Sequence, residues 1–173
     1  MGDHRFAPAS PDEPIVYGAA APGFTTVRND GDSVANWIET IQAAGIQGVC
    51  CLLTDRQLQR YDGLLEQYRA AFGHESVSHA PIQDHTLADP KTVTDRILPF
   101  FAAADARSEP IVTHCLAGIG RTGHVLAAWL VAGRGFTPDQ AIRTVSESGR
   151  NPREAIEAGN ATEEELTALL ETV

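Results

Sequence analysis

The sequence predicts an α/β fold, a central, mostly parallel sheet flanked by helices, and three observations carry that reading. Segments of strand character alternate with segments of helical spacing along the chain. The apolar run Ile46 to Leu53 lacks polar alternation, as a central strand covered on both faces does. Thr122 to Ala132 is apolar nearly all round, which suits a helix buried on most sides.

The elements follow in order. With 173 residues and 43% hydrophobic content, the chain supports one core and is too short for two ordinary domains. Residues 1–14 are rich in Pro, Asp and small residues and read as a flexible leader, leaving 15–173 as a single domain. Ile15 to Tyr17 is the opening strand, and Ser33 or Asp32 caps a helix reaching Ala44, with Val34, Trp37, Ile38 and Ile41 on one face. Thr54 or Asp55 caps the next helix, whose Leu58, Tyr61, Leu64, Leu65 and Tyr68 keep helical spacing up to Gly73. Glu75 to Ala80 is a short strand, and Pro81 to Pro90 is a loop with Pro and Asp at both ends, a candidate functional loop. Lys91 to Ala106 reads as a helix that Pro99 must kink or make irregular in its first half. Pro110 to His114 is a strand, and Gly133 and Gly135 stop the buried helix after it. Thr137, Pro138 and Gln140 form a capping box for a helix to Ser148, and a similar box from Thr162 to Glu165 opens the last helix.

Composition narrows the function classes. The net charge of −10 comes from 23 acids against 13 bases, with Lys91 the single lysine, and opposes general attraction to nucleic acid or anionic lipid. Any phosphate site must therefore be local. No apolar stretch reaches the roughly 18 residues needed to span a bilayer, so a soluble, cytoplasmic protein without a membrane partner is expected. Cys50, Cys51 and Cys115 are odd in number and two are adjacent, which suits reduced thiols. The cysteines and histidines have no spacing suited to zinc, so no metal is expected.

The chemistry concentrates in Ile111-Val-Thr-His-Cys-Leu-Ala-Gly-Ile-Gly-Arg-Thr-Gly123, which runs from a strand through two loop glycines into a helix. Such a turn gathers backbone N–H groups and the positive end of a helix dipole at one point, an anion cradle. Gly118 and Gly120 let the backbone of Leu116, Ala117, Gly118, Ile119 and Gly120 curl with its amides inward. Arg121 can grip two phosphate oxygens with its planar fork. The same surroundings favour thiolate over thiol at Cys115, a nucleophile that the Thr122 hydroxyl can support, while His114 can fix the loop through its ring.

His114-Cys115-x5-Arg121-Thr122-Gly123 resembles the signature of the protein tyrosine phosphatase superfamily, and the whole segment His114 to Gly123 is similar to that of small atypical dual-specificity phosphatases. The resemblance implies the cysteine-phosphatase fold, no cofactor, and hydrolysis of phosphotyrosine, with phosphoserine and phosphothreonine as further substrates, through a phosphocysteine intermediate. It also implies a general acid on an upstream loop. Pro81-Ile82-Gln83-Asp84-His85 resembles that loop, making Asp84 the acid, with Asp89 as its rival or a helix cap. His85 is a candidate substrate contact. Cys50 and Cys51 read as small core residues, and the resemblance raises a disulfide from one of them to Cys115. Arg150 to Ile156 resembles a family segment beside the site, and Asn160 a residue that holds water there; a helix start at Asn151 and Pro152 is the simpler reading. The partner implied is a phosphorylated protein; the alternatives are an inositol phosphate, phosphoinositide or RNA 5′-phosphate substrate, or a module that binds phosphate without turnover.

Overall fold

Three parallel pairings build the centre of the fold. β5 (Ile111–His114) lies between β2 (Val16–Ala19) and β3 (Gly48–Cys51), and β4 (Val77–His79) extends the sheet beyond β3. β1 (Ala7–Pro8) adds an antiparallel edge, giving the order β1-β2-β5-β3-β4. The computed structural model describes residues 3–24 and 32–173, with Asp3 and Asp32 as backbone only. The candidate cap Asp32 thus has its side chain outside the described part.

Strand alternation sorts the core into two layers. Cys50, Leu52 and Ile111 join one apolar cluster, whereas Val49, Cys51, Leu53 and Val112 join the other. The second layer is closed by α1 (Asp32–Ala43) and α3 (Leu64–Phe72) through Trp37, Ile41, Leu64 and Tyr68. The first is closed by α5 (Leu98–Arg107), α6 (Gly120–Arg134), α7 (Pro138–Glu147) and α9 (Glu163–Glu171). Every residue of α6 from Gly120 to Leu130 is buried, as its all-round apolarity predicts. No helix among the described residues is long and apolar enough to cross a membrane.

Three local expectations are corrected. The helix expected from Thr54 to Gly73 is two: α2 (Asp55–Leu58), with a Thr54–Gln57 capping box, and α3, separated where Gly63 adopts φ 66°. The helix expected from Lys91 begins as α4 (Pro90–Thr92), widens into a π-helical turn Val93–Ile97, and resumes as α5. The wide turn precedes Pro99, whose ring and missing N–H disfavour a regular turn there.

The third correction concerns the leader. Residues 3–14 pack on the domain: β1 pairs with β2, Ala9 and Glu13 are buried, and the Ala20 N–H donates to the His4 carbonyl. Composition missed this because polar contacts, not an apolar run, hold the segment. The Glu13 carboxylate accepts from the Ile15 and Val16 amides and from Arg134 at 2.7 Å, while Arg134 also binds Asp105 and lies over the Trp129 ring. Removing this carboxylate strands two buried N–H groups, so Glu13→Ala should lower unfolding free energy by about 2–3 kcal/mol, read as an earlier urea midpoint.

Candidate active site

The loop between β5 and α6 is shaped by what holds its carbonyl oxygens. The Cys115 carbonyl accepts from His114 Nδ1 at 2.9 Å, the Leu116 carbonyl from the Ala21 amide at 2.9 Å, and the Ala117 carbonyl from Arg5 at 2.8 Å. The Gly118 carbonyl accepts from Arg150. In a trans peptide, C=O and the following N–H point in opposite directions. Four carbonyls held on the outside therefore turn the amides of Leu116 to Ile119 inward. The Gly118 amide confirms the sense by donating to Cys115 Sγ at 3.3 Å. Gly118 adopts φ 75°, and a Cβ there would lie 2.6 Å from the Ala19 carbonyl oxygen, so only glycine fits.

Thr122 bonds the same sulfur from the other side. Its hydroxyl donates to Cys115 Sγ at 3.1 Å and accepts from the Cys115 amide at 3.0 Å, joining the loop's first residue to the first turn of α6. Cys115 is only 2% exposed.

Arg121, also 2% exposed, has its Nη1 committed to the Gln57 side chain at 2.8 Å and the Ile82 carbonyl at 3.0 Å. Nη2 lies 3.3 Å from Asp84 Oδ1, and the buried Nε has no partner. A guanidinium has five donors, so the Nε–Nη2 edge retains the capacity to bind an anion. Asp84 is thus brought to the loop's arginine, whereas Asp89 caps α4 through the Lys91 amide.

Two histidines brace these parts. His114 is caged by Trp37 and Tyr68; with Nδ1–H given to a carbonyl, Nε2 accepts from the Tyr68 hydroxyl at 2.9 Å. His124 donates Nδ1–H to the Gly120 carbonyl, and Nε2 accepts from the Ala88 amide at 3.0 Å, linking α6 to the loop that carries Asp84. His85 stands between Asp84 and Glu154. The Asn160 amide donates to the His85 carbonyl at 2.8 Å.

Cys50 and Cys51 are free and buried, and burial pushes both thiols up to about 12. They serve as packing groups, and Cys50 shares the Cys115 side of the sheet. Sequence reading missed Arg5, Gln57, Tyr68 and the link from His124 to Ala88. A buried arginine in the segment Arg150 to Ile156 was the one available signal: burial draws its pKa down to about 10, and its nitrogens go to the Gly118 and Arg5 carbonyls.

Burial pushes the imidazoles of His114 and His124 from 6.5 down to about 4. Between those values the unfolded chain binds protons that the folded one refuses, so stability is full above pH 6.5 and falls as pH drops toward 4. Urea midpoints should follow that slope, and His124→Gln should flatten it. Gly118→Ala, forced into a left-handed backbone against Ala19, should destabilise by more than about 1 kcal/mol in the same measurement.

The comparisons with known proteins fit this geometry. The dual specificity protein phosphatase of Monkeypox virus is 29% identical over 68 residues, 39% of this chain and 40% of that protein, so the chain spans well under half the length of the relative it matches. Among solved structures, Tk-PTP in its active form has a TM-score of 0.66 at 22% identity, over 89% of this chain and 92% of its own. PTPMT1 has a TM-score of 0.72 at 13% identity, over 96% and 95%. These likenesses establish the cysteine-phosphatase fold. The family described as "Polymorphic toxin system, DSP-PTPase phosphatase" matches residues 20–134, a span that contains Asp84, Cys115 and Arg121 together with the strand and helix that present them. On that match the chain belongs to the polymorphic toxin system DSP-PTPase phosphatase family and stands among the small atypical dual-specificity phosphatases.

Proposed function

We propose that the chain is a cysteine-dependent protein phosphatase that hydrolyses phosphotyrosine, and phosphoserine and phosphothreonine as well, in the cytoplasm. Residues 15–173 act as one catalytic domain with residues 3–14 built into it. The observation that supports the reading is the sulfur of Cys115 receiving the Gly118 amide and the Thr122 hydroxyl.

In the first step Cys115 Sγ attacks phosphorus in line; the S–P bond forms as the P–O bond to the leaving group breaks, and Asp84 delivers its proton to the departing oxygen. Water then attacks the phosphocysteine, gives a proton to Asp84, and releases inorganic phosphate as the S–P bond breaks. The loop amides and the Nε–Nη2 edge of Arg121 hold the equatorial oxygens in both steps. The Thr122 hydroxyl supports the sulfur as nucleophile and as leaving group. His114 sets the loop by fixing the Cys115 carbonyl.

The solved PTPMT1 complex holds PI(5)P, and a lipid or inositol phosphate is the alternative substrate class. Leu116, Ala117 and Ile119 supply no cation to the loop, which favours a singly phosphorylated side chain over a multiply charged inositol.

The test is release of phosphate from an aryl phosphate with EDTA present. Wild type should turn over; Cys115→Ser should abolish turnover and retain phosphopeptide binding. Asp84→Asn should lose about 10²- to 10⁴-fold where the leaving group needs a proton. Arg121→Lys should lose both binding and rate. Phosphopeptide retained by wild type with no phosphate released would instead make the chain a binding module, and exclusive turnover of phosphoinositides would overturn the protein substrate.

A further inference from the structure

The residue after Asp84 is held in a conformation that its type disfavours. His85 adopts φ 60°, a left-handed backbone that costs a non-glycine residue about 1–2 kcal/mol and persists where the surroundings impose it. Its backbone is fixed on both sides of the side chain: its amide donates to Asp84 Oδ1 at 3.0 Å, and its carbonyl accepts from Asn160 Nδ2 at 2.8 Å. Its ring is bracketed by two carboxylates, with Nδ1 3.3 Å from Glu154 Oε1 and Nε2 3.8 Å from Asp84 Oδ2.

Glu154 is itself seated on the phosphate loop. Its carboxylate lies so close to Gly120 that a Cβ at that position would overlap it. α8 (Glu154–Glu157) opens with this residue, and the Asn160 amide N–H bonds back to the Ala155 carbonyl at 2.9 Å, so Glu154 and Asn160 belong to one short rigid unit. One face of that unit touches the loop that holds phosphate, and the other holds the residue next to the acid.

We propose that Glu154, acting through His85, is a positioning residue for Asp84: a latch that sets the carboxyl group toward the leaving-group oxygen and ties its loop to the phosphate loop. The proposal rests on the reading of Asp84 as general acid. The left-handed turn at His85 aims the Asp84 carboxyl, Asn160 clamps the backbone of that turn, and Glu154 holds the half-exposed imidazole beside the Asp84 carboxylate. Glu154 touches no reacting atom, so its loss should act on proton delivery and not on phosphate capture.

Leaving-group dependence reads this directly. p-Nitrophenolate departs with little need of a proton, whereas phenolate needs one. Glu154→Ala and His85→Asn, the latter chosen because Asn tolerates the left-handed backbone, should each lower kcat on phenyl phosphate by about tenfold or more, as partial loss of a general acid does. On p-nitrophenyl phosphate the loss should stay within about threefold. The double variant should be no worse than the poorer single one, because both changes break the same contact. Glu154→Gln, which keeps an acceptor oxygen in place, should recover most of the loss and covers the case in which Glu154→Ala does not fold. Equal losses on the two substrates, or single effects that multiply, would overturn the latch. Asp84→Asn measured alongside separates the two levels. If it steepens the dependence while Glu154→Ala and His85→Asn do not, the latch alone falls; if it leaves the dependence unchanged, the assignment of the acid falls and takes the latch with it.

Discussion

Everything about the site depends on the outward pull exerted on four consecutive carbonyl oxygens. Cys115 has its C=O held by the neighbouring His114 ring, and Leu116, Ala117 and Gly118 have theirs held by donors from elsewhere in the chain, respectively Ala21, Arg5 and Arg150. Backbone amides do not converge on a point unaided, since a loop of parallel N–H dipoles repels itself. The converging dipoles are tolerated because their opposite ends are satisfied, two of them by guanidinium groups, whose hydrogen bonds are the stronger charge-assisted kind. The leader, the residues just after β2 and the segment at Arg150 are therefore parts of this loop in an energetic sense, although they lie far from it along the chain.

Arg121 shows a division of labour within one side chain. Gln57, in the capping box that opens α2, and the Ile82 carbonyl, beyond the end of β4, hold Nη1, so this edge stays fixed. The contact to Asp84 differs, because that carboxylate is 40% exposed and an ion pair so open to water is worth little. A phosphate oxygen can take Nη2 from Asp84 at small expense. Asp84 is then released while the arginine keeps its orientation.

How much of this was legible in the sequence follows from the range of each interaction. The strand, loop and helix around Cys115 were readable because their determinants are adjacent: apolar runs on both sides, two glycines, and Thr122 in the first helical turn. Asp84 and Asp89 occur in one Pro- and Asp-rich loop, and only the fold shows that the first lies beside Arg121 while the second caps α4. The supports were not legible. Arg5 bonds a residue 112 positions away and Arg134 one 121 positions away, and no local pattern announces such pairs. The leader was misread for the same reason, as it is held by dispersed contacts, the β1–β2 pairing, buried Ala9 and the bonds of Arg5 and Glu13, and not by an apolar stripe. The break at Gly63 was hidden by apolar residues that keep helical spacing across it, and the π-helical turn before Pro99 was foreseen only as irregularity.

Three guanidinium groups, those of Arg5, Arg121 and Arg150, surround this loop on a molecule whose formal charge is −10. The field changes sign along the approach: an incoming dianion is repelled at long range and attracted only within the last few ångströms. Dissolved ions damp the distant repulsion over a Debye length of about 8 Å at physiological ionic strength, but leave the buried contacts nearly intact. Capture of an anion should therefore quicken as salt is added, the reverse of what an enzyme with a basic surface does.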